Sequence, residues 1–212
     1  MREALEEIPS LAAANFLQMV VEVHQNAGPL PWKKPFLLPD TSLLLDEEKF
    51  ADLAMSYSLS GFHIGIRVNQ AFQDVAFPDV ENGDSVEFFF DTRDRKSAGT
   101  IHKFCHHFIF LPKEVGGIQA CEMTKFRLED AHPLCDSKLL QVEAIFKNKE
   151  YELKIFIDKE ALYGFDPEQF NRLGFTYRVN RKGGPSQHFN LGSQEYLIEK
   201  YPSVWASLKL KT

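Results

Sequence analysis

The run from Gly83 to Asp94 constrains the fold of this chain more than any other stretch of its 212 residues. It opens at Asn82-Gly83-Asp84, a turn signal, because Asn and Gly tolerate the positive φ angles that a chain reversal needs. Val86–Phe90 follows as a mainly apolar run of β-favouring residues that contains a single charged residue, Glu87, and such a run is typical of a buried strand. The strand ends in the charged segment 91–94, and side chains at the rim of a sheet carry function more often than core residues do. The run therefore predicts a buried strand with a candidate site at its end.

Turn signals recur at short intervals and separate further strand-like segments. Segments 51–59 and 62–69 form a predicted hairpin about Ser60-Gly61, and apolar and polar residues alternate in its second arm. A second predicted hairpin joins 139–147 to 151–158. In the segment 173–179 the apolar residues form the inner row, which places Thr176, Arg178 and Asn180 on an outer, polar row. The remaining predicted strands are 16–23, 101–111, 118–124, 188–191 and 204–210.

This pattern of about nine to eleven strands with only brief helices predicts an all-β fold, an antiparallel β-sandwich of the immunoglobulin or jelly-roll kind. The 19 Phe residues agree with it, since aromatic residues favour strands. The chain length suits one domain. We expect this domain to span residues 15–212, preceded by an Ala/Glu/Leu-rich N-terminal appendage of residues 1–14.

Charge and cysteine content exclude several classes of function. A net charge of −6 provides no basic surface for a phosphate backbone, so we expect no nucleic-acid partner. Nothing approaches ~18 consecutive apolar residues, so no membrane insertion is predicted, and the N-terminal sequence lacks the features of a signal peptide. Three cysteines cannot all pair within one chain, which indicates a reducing compartment and predicts a cytoplasmic, soluble protein.

Catalytic motifs are missing from the sequence. It contains no Gly-rich phosphate loop, no nucleophile elbow and no metalloprotease helix. Cys105 lies between apolar residues of a predicted strand, which is a poor environment for a nucleophilic thiolate. The 30 Asp and Glu residues make some carboxylate pair inevitable, so a pair carries no information without coordinates. We therefore predict that the protein is not an enzyme.

Metal binding is an alternative that the histidines leave open. His102 and His106 share one face of a predicted strand, and His132 and Cys135 lie three residues apart, so these four could form a mixed zinc site. Alternation along the strand limits how many of them can reach one ion. Calcium would require clustered carboxylates, but the aspartates near the charged strand end follow no calcium-loop template. We expect no cofactor, with zinc or calcium as the alternatives.

The order of these motifs resembles the family-nine carbohydrate-binding modules and the wider DOMON-like group of β-sandwiches. The resemblance covers about residues 15 to 212 and describes the fold better than the ligand. It rests on Gly83–Arg93, on the preceding strand Phe62–Val68, and on Tyr151–Ile157, Leu173–Asn180 and Trp205–Leu210.

The resemblance implies a site in which two Trp side chains stack on a terminal sugar while polar side chains bind its hydroxyls. Glu87 matches a hydrogen-bonding carboxylate of that family. The first Trp is expected where this chain has Val80–Asn82, and the second shortly before the last strand, where it has Tyr196 and Tyr201. The family's Arg falls near Cys105. Other DOMON-like proteins bind haem through Met and His, a role that Met55 with one of the histidines could imitate, although four Met and seven His residues make such a pairing easy by chance.

From these patterns we predict a non-catalytic module that binds a carbohydrate or another small polar ligand at a concave face or a rim of the sheets. Two alternatives stay open: a protein-interaction or structural β-sandwich that has lost the sugar site, and a zinc-binding protein. The predicted ligand-binding residues are Glu87, Asp91, Arg93, His107, Arg178 and Asn180, with Trp32, Tyr196 and Tyr201 as stacking groups.

Overall fold

Strands dominate the computed structural model, which describes residues 18–127, 129–191 and 197–212. The predicted N-terminal appendage, residues 1–14, lies outside the described residues, and the domain boundary at residue 15 stays a prediction. Helical structure in the described ranges consists of three-residue 3-10 turns. The strands are β1 (Val20–His24), β2 (Ala51–Ser58), β3 (Gly61–Val68), β4 (Ser85–Asp91), β5 (Cys105–Val115), β6 (Ile118–Glu122), β7 (Leu140–Phe146), β8 (Tyr151–Asp158), β9 (Arg172–Asn180), β10 (Gln187–His188) and β11 (Ala206–Lys211).

The strands form two sheets that pack face to face, which confirms the predicted all-β sandwich. Sheet A has the order β1-β11-β9-β4-β5-β6, with β10 paired to β9, and sheet B has the order β2-β3-β8-β7. Both predicted hairpins are present, β2 with β3 and β7 with β8. Neighbouring strands are antiparallel except β1 and β11, which run parallel at one edge of sheet A. No helix among the described residues is long and apolar enough to cross a membrane.

The main core lies between the sheets and is rich in phenylalanine. Phe88 and Phe90 of β4 point into it from sheet A, and Phe62 of β3 points into it from sheet B. The rings of Phe62 and Phe90 are 5.3 Å apart, and Phe90 and Phe175 are 4.9 Å apart. Each buried Phe side chain stabilises the fold by about 1.5–3 kcal/mol, so this cluster is the principal source of cohesion between the sheets.

Sheet A is buried on its outer face as well. Phe89 points outward from β4 and packs in a second apolar cluster with Ile101, Ile198 and Trp205. A third cluster forms around Ile109 on the outer side of β5. Loops therefore cover this face, and the outer row of β9 that we expected to be polar and outside is buried: Thr176, Arg178 and Asn180 are 0%, 6% and 0% exposed.

Two local predictions around the central strand were wrong in detail. Gly83 has φ −143°, which is ordinary extended backbone, so the positive angle expected at this turn is absent. Glycine is required there for space, because a Cβ would lie 2.8 Å from the carbonyl carbon of Val75 and closer still to the amide nitrogen of Ala76. The strand predicted at 101–111 begins only at Cys105, since the segment before it forms a turn that covers the outer cluster.

Candidate functional site

A cavity of about 550 Å³ opens on the outer face of sheet A. Strands β4, β5 and β9 provide its floor, and the 3-10 turn Val80–Asn82, the segment 123–127 and the segment 199–205 contribute its walls. Polar and apolar surface are mixed in the lining. Its members include Glu81, Asn82, Glu87, His107, Arg178 and Trp205.

Glu87 of β4 is the polar centre of the cavity floor and is itself 1% exposed. Antiparallel pairing places Arg178 of β9 directly opposite it, and the two form a bidentate ion pair, with Nε to Oε1 at 2.7 Å and Nη2 to Oε2 at 3.0 Å. His107 Nε2 lies 2.8 Å from Oε2, and Asn180 Nδ2 donates to Oε1 at 2.8 Å. Within the described residues, every side chain that contacts the carboxylate of Glu87 can donate a hydrogen bond to it.

This hydrogen bonding fixes the charge of Glu87. Burial by itself raises the pKa of a carboxyl group, but the bonds from His107 and Arg178 outweigh it and lower the pKa of Glu87 to about 2. Because Glu87 stays ionised at neutral pH, His107 must carry a proton on Nε2. The pKa of Arg178 is raised, since its bond to Glu87 outweighs the opposing effect of burial.

Arg178 connects this buried group to the entrance of the cavity. Its Nη2 also donates to Oε1 of Glu81 at 2.8 Å, and the side chain of Glu81 is 65% exposed. Nη1 of Arg178 makes no hydrogen bond to a described residue. Asn82 lies exposed on the same wall. The cavity thus offers fixed hydrogen-bond donors and acceptors beside the buried Glu87–Arg178 pair.

Aromatic rings form the apolar side of the site. The ring of Phe89 stacks on His107 with 4.3 Å between centroids, which fixes the imidazole in the plane that reaches Glu87. Trp205 packs 5.9 Å from Phe89, and its Nε1 donates to the carbonyl of Ile198 at 2.8 Å. Trp205 lines the cavity although it is 2% exposed.

The structure brings together four of the nine residues predicted to bind ligand: Glu87, His107, Arg178 and Asn180. The predicted strand-end residues Asp91 and Arg93 have other contacts. Asp91 accepts the backbone N–H groups of Arg93 and Arg95 and shapes the turn after β4. Arg93 lies over the ring of Phe170 at 3.8 Å and donates to the carbonyl of Gly164.

The predicted stacking groups lie away from the cavity where the structure describes them. Trp32 covers Gly65 on the outer face of sheet B, with the Arg67 guanidinium 3.9 Å above its ring and its Nε1 bonded to Glu152. Tyr201 is 42% exposed and does not line the cavity. Tyr196 lies outside the described residues.

Sequence reasoning missed Trp205 and Glu81. Trp205 was placed inside the last strand, but β11 begins at Ala206, so a Trp does stand immediately before the last strand. A signal existed, since the Pro202 two residues ahead of Val204 favours a 3-10 turn that ends before Trp205. Glu81 carried no signal, because its role depends on Arg178 reaching it across the sheet.

The predicted metal ligands separate into two groups. His106 and His132 meet at Glu122, a residue that the sequence did not single out, and Cys135 joins them by donating its backbone N–H to Glu122. His102 lies instead beside Asp91, at 3.6 Å. Burial raises the pKa of the neighbouring Cys105 thiol, which keeps this cysteine protonated and unreactive.

No protein-family model and no curated protein matches the chain. Among solved structures, a family-nine carbohydrate-binding module from Caldicellulosiruptor kristjanssonii in complex with cellotriose matches with a TM-score of 0.60 and 14% identity, covering 91% of this chain and 93% of that chain. The module in complex with glucose matches with the same TM-score and identity and covers 91% and 95%. A candidate carbohydrate-binding protein from Bacteroides uniformis matches with a TM-score of 0.53 and 11% identity, covering 91% and 99%. The chain therefore has the fold of a family-nine carbohydrate-binding module.

Proposed function

We propose that the protein is a non-catalytic module that binds a carbohydrate in the cavity on the outer face of sheet A. The observation that carries this proposal is the buried Glu87–Arg178 pair at the cavity floor, flanked by His107, Asn180 and Trp205. The fold supports it, because two structural neighbours are carbohydrate-binding modules in complex with cellotriose and glucose.

A sugar presents hydroxyl groups around an apolar ring face, and the cavity offers groups for both. Arg178 Nη1 and the side chain of Asn82 are free of described partners and are positioned to bind hydroxyls. Trp205 and Ile109 supply apolar surface beside them. Since the ion pair fixes Arg178 in one orientation, little side-chain freedom is lost on binding, which favours affinity.

The chemistry of Glu87 opposes a catalytic role. A glycosidase needs one carboxyl group with a raised pKa to protonate the leaving oxygen. The pKa of Glu87 is lowered, and hydrogen-bond donors occupy both of its oxygens, so it serves neither as acid nor as nucleophile. The carboxylate instead orients the donors around it.

Calorimetric titration tests the proposal. The wild-type protein is titrated with glucose, cellotriose and a panel of other mono- and oligosaccharides, and we expect saturable binding of at least one of them. Arg178→Lys removes the planar, bidentate geometry, and Asn82→Ala removes one exposed amide. Each should weaken binding by about tenfold or more, because each deletes a hydrogen bond to the sugar.

A matched control is the Arg67–Glu152 pair on the outer face of sheet B. Arg67→Lys should leave the Kd for sugar unchanged, with circular dichroism confirming that all variants fold. Absence of binding to every sugar of a broad glycan array would defeat the proposal. If a pull-down then retains one specific protein, the alternative of a protein-interaction module takes its place.

A further inference from the structure

A second buried polar cluster lies on the core-facing side of sheet A, and one of its members, His106, also borders the cavity. His106 and His107 are consecutive in β5, so their side chains point to opposite faces. His107 reaches Glu87, whereas His106 stacks on the core residue Phe108. There His106 meets Glu122 of β6 and His132 of the following segment, and all three side chains are at most 2% exposed.

His106, His132 and Thr124 converge on one atom, Oε1 of Glu122. Nδ1 of His106 lies 2.9 Å from it and Nε2 of His132 lies 3.0 Å from it. Thr124 Oγ1 donates to the same oxygen at 2.7 Å, and the backbone N–H of Cys135 donates to Oε2 at 2.8 Å. A single carboxylate oxygen with two lone pairs is thus approached by three groups.

The hydrogen bonds of His132 require a proton or a metal ion between its Nε2 and Glu122. Its Nδ1 is 2.6 Å from the carbonyl oxygen of Lys103, which can only accept, so Nδ1 carries a hydrogen. In a neutral imidazole the lone pair of Nε2 then faces the carboxylate oxygen at 3.0 Å. Two acceptors repel each other in a buried site, so either a proton or a metal ion must lie between them.

The arrangement favours the ion. Two imidazole nitrogens and one carboxylate are the donor set that zinc and related ions take from proteins. The bond from His132 Nδ1 to a backbone carbonyl is the contact that orients metal-binding histidines. A tetrahedral ion with bonds of about 2.0–2.2 Å holds its ligand atoms about 3.3 Å apart, so the site need open by only a few tenths of an ångström.

We propose that His106, Glu122 and His132 bind a divalent transition-metal ion of the zinc type. The ion ties the segment around residue 132 to the paired strands β5 and β6. Because its ligands are buried, it stabilises structure and does not act on a substrate. Thr124 connects it to the ligand cavity, since its hydroxyl donates to Glu122 and accepts the backbone N–H of His107.

Metal content and a cobalt spectrum test this inference without any sugar. After removal of metal and dialysis against micromolar zinc, the wild-type protein should retain about one zinc per chain by elemental analysis. Zinc should raise Tm by roughly 5 °C when present at about 100 times its Kd. Cobalt(II) in place of zinc should give visible absorption bands of a tetrahedral complex with nitrogen and oxygen ligands.

Four substitutions, two of ligands and two controls, locate the ion. Glu122→Gln and His132→Gln should lose the metal and the zinc-dependent rise in Tm. His102→Gln, which alters another buried histidine near the start of β5, should keep both, as should Cys135→Ser. Zinc retained by Glu122→Gln and His132→Gln would place the ion elsewhere and overturn the proposal.

The wild-type measurements decide the matter even if a variant fails to fold. Wild-type protein that retains under about 0.1 zinc per chain, with no change in Tm, would also overturn the proposal. A proton, and not a metal ion, would then lie between His132 and Glu122.

Discussion

The charge and hydrogen bonding of the candidate site depend on single residues, above all on Glu87. Its carboxylate is enclosed by Arg178, His107 and Asn180, so the charge is compensated within the protein before any ligand arrives. Removal of the carboxylate leaves its buried donors without their shared acceptor, which costs far more than loss of an exposed ion pair. The site is therefore also an important stabilising element of sheet A.

Replacement of the carboxylate measures this contribution. Glu87→Gln keeps the size of the side chain but leaves Arg178 buried beside a neutral amide, and we expect the free energy of unfolding to fall by about 3–5 kcal/mol. Urea unfolding of both proteins gives the difference. Glu143→Gln, at the exposed Lys154–Glu143 pair, is the control and should change stability by under about 0.5 kcal/mol. Equal effects of the two changes would contradict this interpretation.

Acid should remove the same stabilisation. The pKa of Glu87 falls from an ordinary 4.5 to about 2 in the folded state, a shift worth about 3 kcal/mol. A carboxyl group with a lowered pKa stabilises the fold above its unfolded pKa and loses that contribution as pH falls toward the folded value. The difference in the free energy of unfolding between wild type and Glu87→Gln should thus be constant from pH 7 to about 5 and decrease toward pH 2. Unfolding curves at several pH values measure it, and a constant gap down to pH 3 would refute it.

At the scale of elements, β4 shows why a strand can carry both core and site. Its inner row, Val86, Phe88 and Phe90, fills the space between the sheets, while its outer row contains Glu87 and Phe89. The entry to this strand depends on Gly83, because the backbone of the segment 75–76 occupies the position that a side chain would need. The close approach fixes where β4 begins.

A single methyl group tests that dependence. Gly83→Ala should lower the free energy of unfolding by about 1–3 kcal/mol, since the added Cβ meets backbone atoms that cannot move aside independently. Gly99→Ala is the matched control: a Cβ there meets nothing within 4 Å, so stability should be unchanged within about 0.5 kcal/mol. Thermal unfolding of both variants gives the comparison. A Gly83→Ala protein as stable as wild type would show that the segment 75–76 adjusts freely.

The same strands show which features of the fold could be predicted from the sequence. Period-two alternation located both hairpins of sheet B, because one wet face leaves a clear pattern. In sheet A the alternation was misleading: it placed Arg178 and Asn180 on an exposed row, and only the packing of distant loops buries them. Glu87, Arg178 and His107 could be selected as candidates individually, but their convergence depends on strand register, which the sequence does not specify. Glu81 and Glu122 could not be foreseen, since ordinary surface-type residues acquire their roles from such convergence.

At the scale of the whole molecule, the two sheets share one core. The main cluster takes side chains from both, and the rings of Phe62 and Phe90 join them directly. Neither sheet can bury its inner face without the other. We therefore expect the sandwich to unfold in one cooperative step.

The two Trp residues make this expectation measurable, because each reports one sheet. Trp32 lies on sheet B, and Trp205 lies on the outer side of sheet A. In Trp205→Phe the fluorescence of Trp32 should follow the same denaturant curve as the far-ultraviolet circular dichroism of that variant, and in Trp32→Phe the fluorescence of Trp205 should do likewise. A fluorescence midpoint separated from the circular dichroism midpoint in either variant would reveal independent unfolding of a sheet.

The parallel pairing of β1 with β11 has a mechanical consequence. Val20 lies beside Ser207 and His24 beside Lys211, so the start of β1 and the end of β11 are at opposite ends of one ladder. A force that pulls these two points apart acts along the strands and loads the bridging hydrogen bonds together in shear, whereas an antiparallel pair would unzip one bond at a time. This edge of the sandwich should therefore resist tension applied between the start of β1 and the end of β11.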